Sequence, residues 1–223
     1  CNPESQSFEI ETMFINGKPK VMGQDITVAE VMEIVEKDMP YYQRSGGGIT
    51  LSGGECLLQP EFSLALLQAA KDMGISTAIE SMAFAKYETI EKILPYLDTY
   101  LMDIKHTNPK KHKEFTGHEN VRMMENAVKV ASSRQVELII RVPVIPTFND
   151  TEEELLDIAK FADTLPGVRQ IHILPYHNFG QGKYEGLGRD YPMGDAKKPT
   201  DEQMKKFQRA IEENTSLHCQ IGG

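Results

Sequence analysis

"SGGGITLSGGEC", residues Ser45–Cys56, sets five glycines in twelve positions around a short apolar run. Glycine in or beside a strand costs conformational entropy and packs nothing, so it is kept where backbone turns sharply or must come close to another group. The stretch therefore reads as a strand, "GITLS" (48–52), whose carboxyl end, Gly53-Gly54-Glu55, brings main chain up to a small charged ligand. Helix signals flank it. Upstream, Thr27 opens a capping box with Glu30, and Val28, Val31, Met32 and Val35 follow at helical spacing. Downstream, Phe62, Leu66, Ala69 and Met73 form a helix face that Gly74 ends.

The alternation continues along the chain. "STAIES" (76–81), "TYLMDIK" (99–105), "VELIIRVPVI" (136–145) and "QIHILPYH" (170–177) read as further strands. Between them, Tyr87, Ile90, Leu94 and Leu97 mark one helix and the region Met123–Ala131 another. Thr151 with Glu154 caps a helix carrying Leu155, Ile158, Ala159 and Ala162, and Thr200 with Gln203 caps a last one through Met204, Phe207 and Ile211. The glycine- and proline-rich segment 178–199 reads as a surface loop. Five apolar strands separated by helices imply a parallel sheet covered by helices, within one domain spanning 1–223. Doubly wound and barrel arrangements both fit this pattern.

Each strand ends in something polar: Gly53-Gly54-Glu55, Glu80-Ser81, Asp103 with Lys105, Arg141 inside an apolar run, and Pro175-Tyr176-His177. In parallel α/β proteins the carboxyl ends of strands form the active face, and in barrels they converge on one mouth. Carboxylates, a lysine, an arginine and a histidine at one mouth suit a ligand carrying both an amine and a carboxylate. A single charged strand end is most often a solvated surface group, but five in succession are not so easily dismissed. Arg141 within "LIIRVPVI" is the least comfortable as a surface residue, because a buried charge needs a partner.

Bulk composition narrows the classes. Net charge is −9, from 33 acids against 24 bases, which argues against nucleic acid as a partner. No apolar run approaches the length that spans a bilayer, so no membrane role is expected. Three widely spaced cysteines, Cys1, Cys56 and Cys219, make no disulfide framework and fit a reducing cytoplasm. His106, His112 and His118 lack the helical pairing of a zinc site, and His172 and His218 read as structural or exposed. Glu152–Glu154 compensate a helix dipole.

"NPES" after a cysteine, "SGGGITLSGGE", "LMDIKH", "RVPVIPTFND" and "ILPYHNFGQGKY", in this order and spacing, resemble the activating enzymes of glycyl radical enzymes. These are radical S-adenosylmethionine proteins related to the pyruvate formate-lyase activating enzyme, and the resemblance covers essentially the whole chain. It implies a partial (β/α)6 barrel, TIM-like, with parallel strands. It also implies a four-iron four-sulfur (4Fe-4S) cluster on three cysteines in C-x3-C-x2-C, with the fourth iron left to the amine and carboxylate of S-adenosylmethionine. By position, Gly53, Gly54 and Glu55 resemble the loop that grips the methionyl amine. Asp103, Lys105 and Arg141 resemble the residues of the ribose and carboxylate region, and His177 matches a position beside the adenine. Glu80, with Ser81 beside it, and Asp103 resemble ligands of a monovalent cation seen in some relatives. Glu80 and Met82 depart from the more usual Asp-Thr-Asn pattern there. The implied activity is reductive cleavage of S-adenosylmethionine to a 5′-deoxyadenosyl radical, which takes hydrogen from a glycine of a partner glycyl radical enzyme. Flavodoxin or ferredoxin is the implied reductant, and the protein is expected to be a monomer.

The C-x3-C-x2-C motif is not in the chain. Cys1 directly precedes Asn2, whereas the resemblance places one residue between the last cluster cysteine and Asn-Pro-Glu. Cys1 is then either that intervening residue, which the otherwise regular spacing favours, or the third ligand itself. It is the one candidate cluster ligand here, and the remaining ligands and the first barrel strand are expected upstream. Between "NPES" and the first helix there are no C-x-x-C pairs, so no ferredoxin-like insert is expected. Cys56 reads as a packed thiol and Cys219, at the tail, as a free structural residue. Two alternatives stay open: a radical enzyme acting on a small molecule, and a truncated, non-catalytic barrel that binds S-adenosylmethionine.

Overall fold

The computed structural model describes residues 12–15, 18–21, 23–178, 180–194 and 196–222. It begins with an antiparallel hairpin of β1 (Thr12–Ile15) and β2 (Lys18–Val21). Helices α1 (Val28–Val35) and α2 (Met39–Ser45) follow, then β3 (Gly48–Leu51), α3 (Pro60–Asp72), β4 (Ser76–Ser81), α4 (Tyr87–Ile93) and β5 (Thr99–Asp103). The second half runs α5 (Pro109–Thr116), α6 (Val121–Ser133), β6 (Glu137–Val144), α7 (Glu152–Asp163), β7 (Gln170–Pro175), α8 (Gln181–Gly186), α9 (Asp201–Asn214) and β8 (His218–Ile221).

Six strands form one sheet in the order β3-β4-β5-β6-β7-β8, every pair parallel. Each strand lies beside its predecessor in the chain, with no point where the order reverses. A doubly wound sheet needs such a reversal, so this winding is that of a barrel wall. Both the parallel α/β class and the partial-barrel reading are therefore met. The boundaries hold too: the capping boxes at Thr27 with Glu30 and at Thr200 with Gln203 start α1 and α9, and Thr151 caps α7.

The core lies between the sheet's convex face and the helices. Ile79, Tyr100, Met102, Ile140, Val142, Ile171 and Ile173 pack there against Leu67, Ile90, Ile93, Val130, Leu155, Ile158, Met204 and Ile211. A smaller cluster under α1 joins Met32 to Leu66, Ala70 and Ile75. Alternation along the strands sends the other side chains, including all the charged ones, to the concave face.

Three elements differ from the sequence reading. β8 adds a sixth strand at the tail, where "HCQI" is too short and too polar in alternate positions to stand out. Cys219 is fully buried on it, its N–H donating to Glu212 Oε1 at 3.1 Å and its carbonyl accepting from Gln208 Nε2 at 2.6 Å. Side chains of α9 thus occupy the outer edge of this last strand. The hairpin was signalled by the Asn16-Gly17 pair in the sequence and passed over. The segment read wholly as loop, 178–199, contains α8, and β1 packs on it: a Cβ added at Gly186 would stand 2.6 Å from Met13 Cε.

Gly48 accounts for one of the five glycines in 45–56. A Cβ there would lie 1.9 Å from the Ser76 carbonyl oxygen, so β3 can pair this closely with β4 only without a side chain.

Candidate active site

The concave face carries Glu80 on β4, Leu101 and Asp103 on β5, Arg141 on β6, and His172 and Leu174 on β7. Register aligns them: Glu80 opposes Leu101, Asp103 opposes Arg141, and Arg141 opposes His172. Glu80, Leu101, Arg141, His172 and Leu174 line a cavity of about 230 Å³.

Arg141 is the hub. Its Nη1 donates to Glu80 Oε1, and its Nε stands 3.3 Å from Asp103 Oδ1. Glu80 also accepts from the Ser52 hydroxyl at the end of β3. Burial pushes the Glu80 carboxyl up, but Ser52 and Arg141 outweigh it and hold the group below the usual carboxylate range. Asp103 behaves oppositely. Burial raises its pKa, Arg141 and Lys105 oppose that, and the charges of Glu80 and Glu55 add to it. Asp103 Oδ1 and Arg141 Nε are buried and make no hydrogen bond among the described residues, their 3.3 Å approach being ionic. The two atoms are thus closed on each other, and a ligand meets the part-exposed remainder of the two side chains.

Gly53 and Gly54 lie at the carboxyl end of β3. Gly53 has φ +122, a conformation that disfavours any side chain, and a Cβ at either glycine would meet no atom within 4 Å. The space beside this loop is open, as a cradle for a ligand requires. Glu55 has its carboxylate engaged by backbone amides. Its Oε1 accepts from Leu57 N–H at 3.1 Å and its Oε2 from Met82 N–H at 3.0 Å, so the carboxylate ties the β3 loop to the loop after β4.

Ser81 is likewise engaged. Its side chain points to the buried side, and its Oγ accepts from Ala83 N–H at 3.0 Å, shaping a turn in which Ala83 has φ +56. Asn126 Nδ2 holds this turn through the Ala83 and Ala85 carbonyls. Lys105 is half-buried two residues beyond β5, and its charge reaches Asp103. His177 is exposed in the loop after β7, at the same end of the sheet.

Two residues that matter were missed. His172, read as structural or exposed, lines the cavity beside Arg141; its place in "QIHILPYH", an even number of residues from Leu174, carried that signal. Burial lowers its pKa, with the Arg141 and His218 charges adding. Asn149, in "RVPVIPTFND", is fully buried and uses its whole amide: Nδ2 donates to the Lys105 and Pro143 carbonyls at 2.7 and 2.9 Å, and Oδ1 accepts from Ile145 N–H at 2.7 Å. It locks the ends of β5 and β6 together. Pro143, which has no N–H, faces the same flank of β6 as Arg141, just beyond the end of β5, so no ladder bond is lost.

Cys1 lies outside the described residues. Burial and the Glu55 charge push the Cys56 thiol up to about 12, and burial with Glu212 does the same for Cys219. A cluster ligand must be a thiolate, and these two thiols sit on strands or loops at opposite edges of the sheet. Among the described residues no group of three His, Cys, Asp or Glu is arranged to hold a metal, so the described residues do not supply an iron–sulfur site. His106 and His112 serve loop structure instead: His106 Nδ1 accepts from Asn108 N–H at 2.9 Å, and His112 Nδ1 lies 2.6 Å from the His118 carbonyl.

Comparison with known proteins supplies a family. Residues 6–162 match the model of the radical SAM superfamily. The chain is 37% identical over 194 residues to the choline trimethylamine-lyase activating enzyme of Oleidesulfovibrio alaskensis, covering 86% of this chain and 62% of that protein. It thus spans less than two thirds of that relative's length. It is 36% identical to the pyruvate formate-lyase-activating enzyme of Clostridium pasteurianum, over 86% of this chain and 79% of that one. A domain of pyruvate-formate lyase-activating enzyme from Bacteroides vulgatus superposes with a TM-score of 0.66 at 26% identity, over 79% of this chain and 99% of that one.

Proposed function

The chain belongs to the radical SAM superfamily, in the group that includes pyruvate formate-lyase-activating enzyme, and from that premise we propose that it is the core of an enzyme that activates a glycyl radical enzyme. In the reaction one electron from a flavodoxin or ferredoxin and one S-adenosylmethionine yield methionine and 5′-deoxyadenosine, while a glycine Cα of the partner protein loses one hydrogen atom. A four-iron four-sulfur cluster supplies the electron-transfer chemistry when bound, on cysteines that are not among the described residues. Localisation in the reducing cytoplasm, a single domain and a monomeric state belong to the same reading.

The observation that carries it is the Glu80–Arg141–Asp103 set at the carboxyl ends of adjacent parallel strands, beside an open glycine loop. This set is a clamp. Gly53 and Gly54 offer carbonyls to the methionyl amine, Asp103 offers the exposed part of its carboxylate to ammonium or ribose, and Lys105 and Arg141 face the carboxylate. In this reading His177 takes the adenine side. Among the described residues of the site none is paired as nucleophile and base, as suits chemistry in which the protein orients and shields. Among the described residues β3 ends the sheet without a further strand beside it, so a protein loop could reach the concave face from that side. Among the described residues no helix is long and apolar enough to cross a membrane.

The test uses the full-length protein, reconstituted anaerobically with iron and sulfide and reduced. Formation of 5′-deoxyadenosine, with a glycyl radical signal on the partner by electron paramagnetic resonance, is expected. A well-loaded, reduced protein that leaves S-adenosylmethionine intact rejects the proposal.

A further inference from the structure

The resemblance places a monovalent cation between the carboxylates of residues 80 and 103. The side chains of this protein do not fit one. The Arg141 guanidinium lies between those two groups, with Nη1 bonded to Glu80 and Nε 3.3 Å from Asp103 Oδ1. The strand ladder delivers it there, because Arg141 opposes Asp103 directly. Its side chain is 15% exposed, less than either carboxylate.

Two carboxylates this close need a positive charge to coexist as anions. An exchangeable ion would supply it at the expense of losing hydration and would need several oxygen ligands. A guanidinium supplies it permanently, since it does not deprotonate, and its planar fork holds both acids without an oxygen cage. Glutamate at position 80 is part of the same arrangement. Its extra methylene carries the carboxylate out to Nη1, and Ser52 fixes the other oxygen.

We infer that Arg141 is the built-in cation of this site, so that S-adenosylmethionine binds without any added sodium or potassium ion. The inference rests on the nucleotide reading above for its second arm only. Arg141 is then a positioning residue: it sets the two acids in place and presents its remaining N–H groups to the ligand carboxylate.

The experiment takes the full-length reconstituted protein in tetramethylammonium, sodium or potassium chloride at equal ionic strength. In the first arm, thallium(I) is titrated without nucleotide and followed by thallium NMR line width. The wild type is expected to show no saturable site and Arg141→Gln to show one. A saturable wild-type site abolished by Asp103→Asn overturns the inference. In the second arm, calorimetry with S-adenosylmethionine is expected to give wild-type affinities within about twofold across the salts, and an Arg141→Gln affinity about tenfold higher in potassium than in tetramethylammonium. A wild-type gain of about tenfold with sodium or potassium overturns it, as does a folded Arg141→Gln protein with neither a thallium site nor salt dependence. Should Arg141→Gln not fold, the wild-type measurements decide alone. Absence of nucleotide binding in every salt would reject the proposed function, and the thallium arm would still decide this inference.

Discussion

Asp103 and Arg141 face each other across the β5–β6 ladder with Oδ1 and Nε 3.3 Å apart, while the next group on the guanidinium is already given to Glu80. One arginine therefore serves two acids of opposite titration behaviour, Glu80 shifted down and Asp103 shifted up.

Glu80→Gln tests that division. A carboxyl held below its unfolded value stabilises the fold above the unfolded pKa, here 4.5, and loses that contribution as pH falls through the folded value. The wild type should exceed Glu80→Gln by about 1–2 kcal/mol at pH 7, the group being part-exposed, with the gap closing in acid. Asp103→Asn should show the reverse sign, gaining on the wild type as pH rises through the raised Asp103 value. Urea denaturation across pH measures both, and parallel profiles for the two variants would contradict the assignment.

Gly54→Ala separates ligand space from fold. Gly54 lacks the positive φ of its neighbour and its Cβ direction is empty to 4 Å, so stability should change by less than about 0.5 kcal/mol. Affinity for S-adenosylmethionine should drop about tenfold or more, as the methyl takes room the ligand needs. Unchanged binding by calorimetry would show that the loop is not the cradle.

Asn149→Ala removes three hydrogen bonds at once and leaves buried partners behind. A loss of about 3 kcal/mol is expected, seen as a lower urea midpoint at constant slope. Lys105 is the site residue released by this change, so nucleotide affinity in the surviving folded protein should fall as well. A variant as stable as wild type would remove Asn149 from its role as the lock.

Thr147 is exposed yet has φ +66, an outlier for a β-branched residue, held by Asp150 Oδ1 accepting from its N–H at 2.9 Å. Thr147→Asn should stabilise by about 0.5–1 kcal/mol, because asparagine tolerates this region and keeps the N–H. Differential scanning calorimetry reads the shift. A lower melting temperature would mean that the conformation is unstrained.

Legibility in the sequence followed local physics. Strands such as "VELIIRVPVI" are nearly continuous apolar runs, so their existence and parallel pairing could be read directly, and so could the polar residues that end them. Direction could not be read as well. Glu55 and Ser81 stand out in the sequence as polar strand ends, but it does not show that backbone amides at Leu57 and Met82 engage the one and a turn engages the other. His172 was discounted for the converse reason: a lone histidine has no signature until parity puts it on the face that Arg141 occupies. β8 has only four residues and draws its stability from α9, a tertiary effect no window of sequence displays.

The flanks of the sheet are unequal. On the β8 side, Gln208 and Glu212 already hold the amide and carbonyl of Cys219 that a neighbouring strand would need. β3 ends the sheet on the other side with no comparable cover among the described residues. Among the described residues the wall therefore has a growing end and a sealed end, and the open ladder for an additional strand is the one beside Gly48–Leu51.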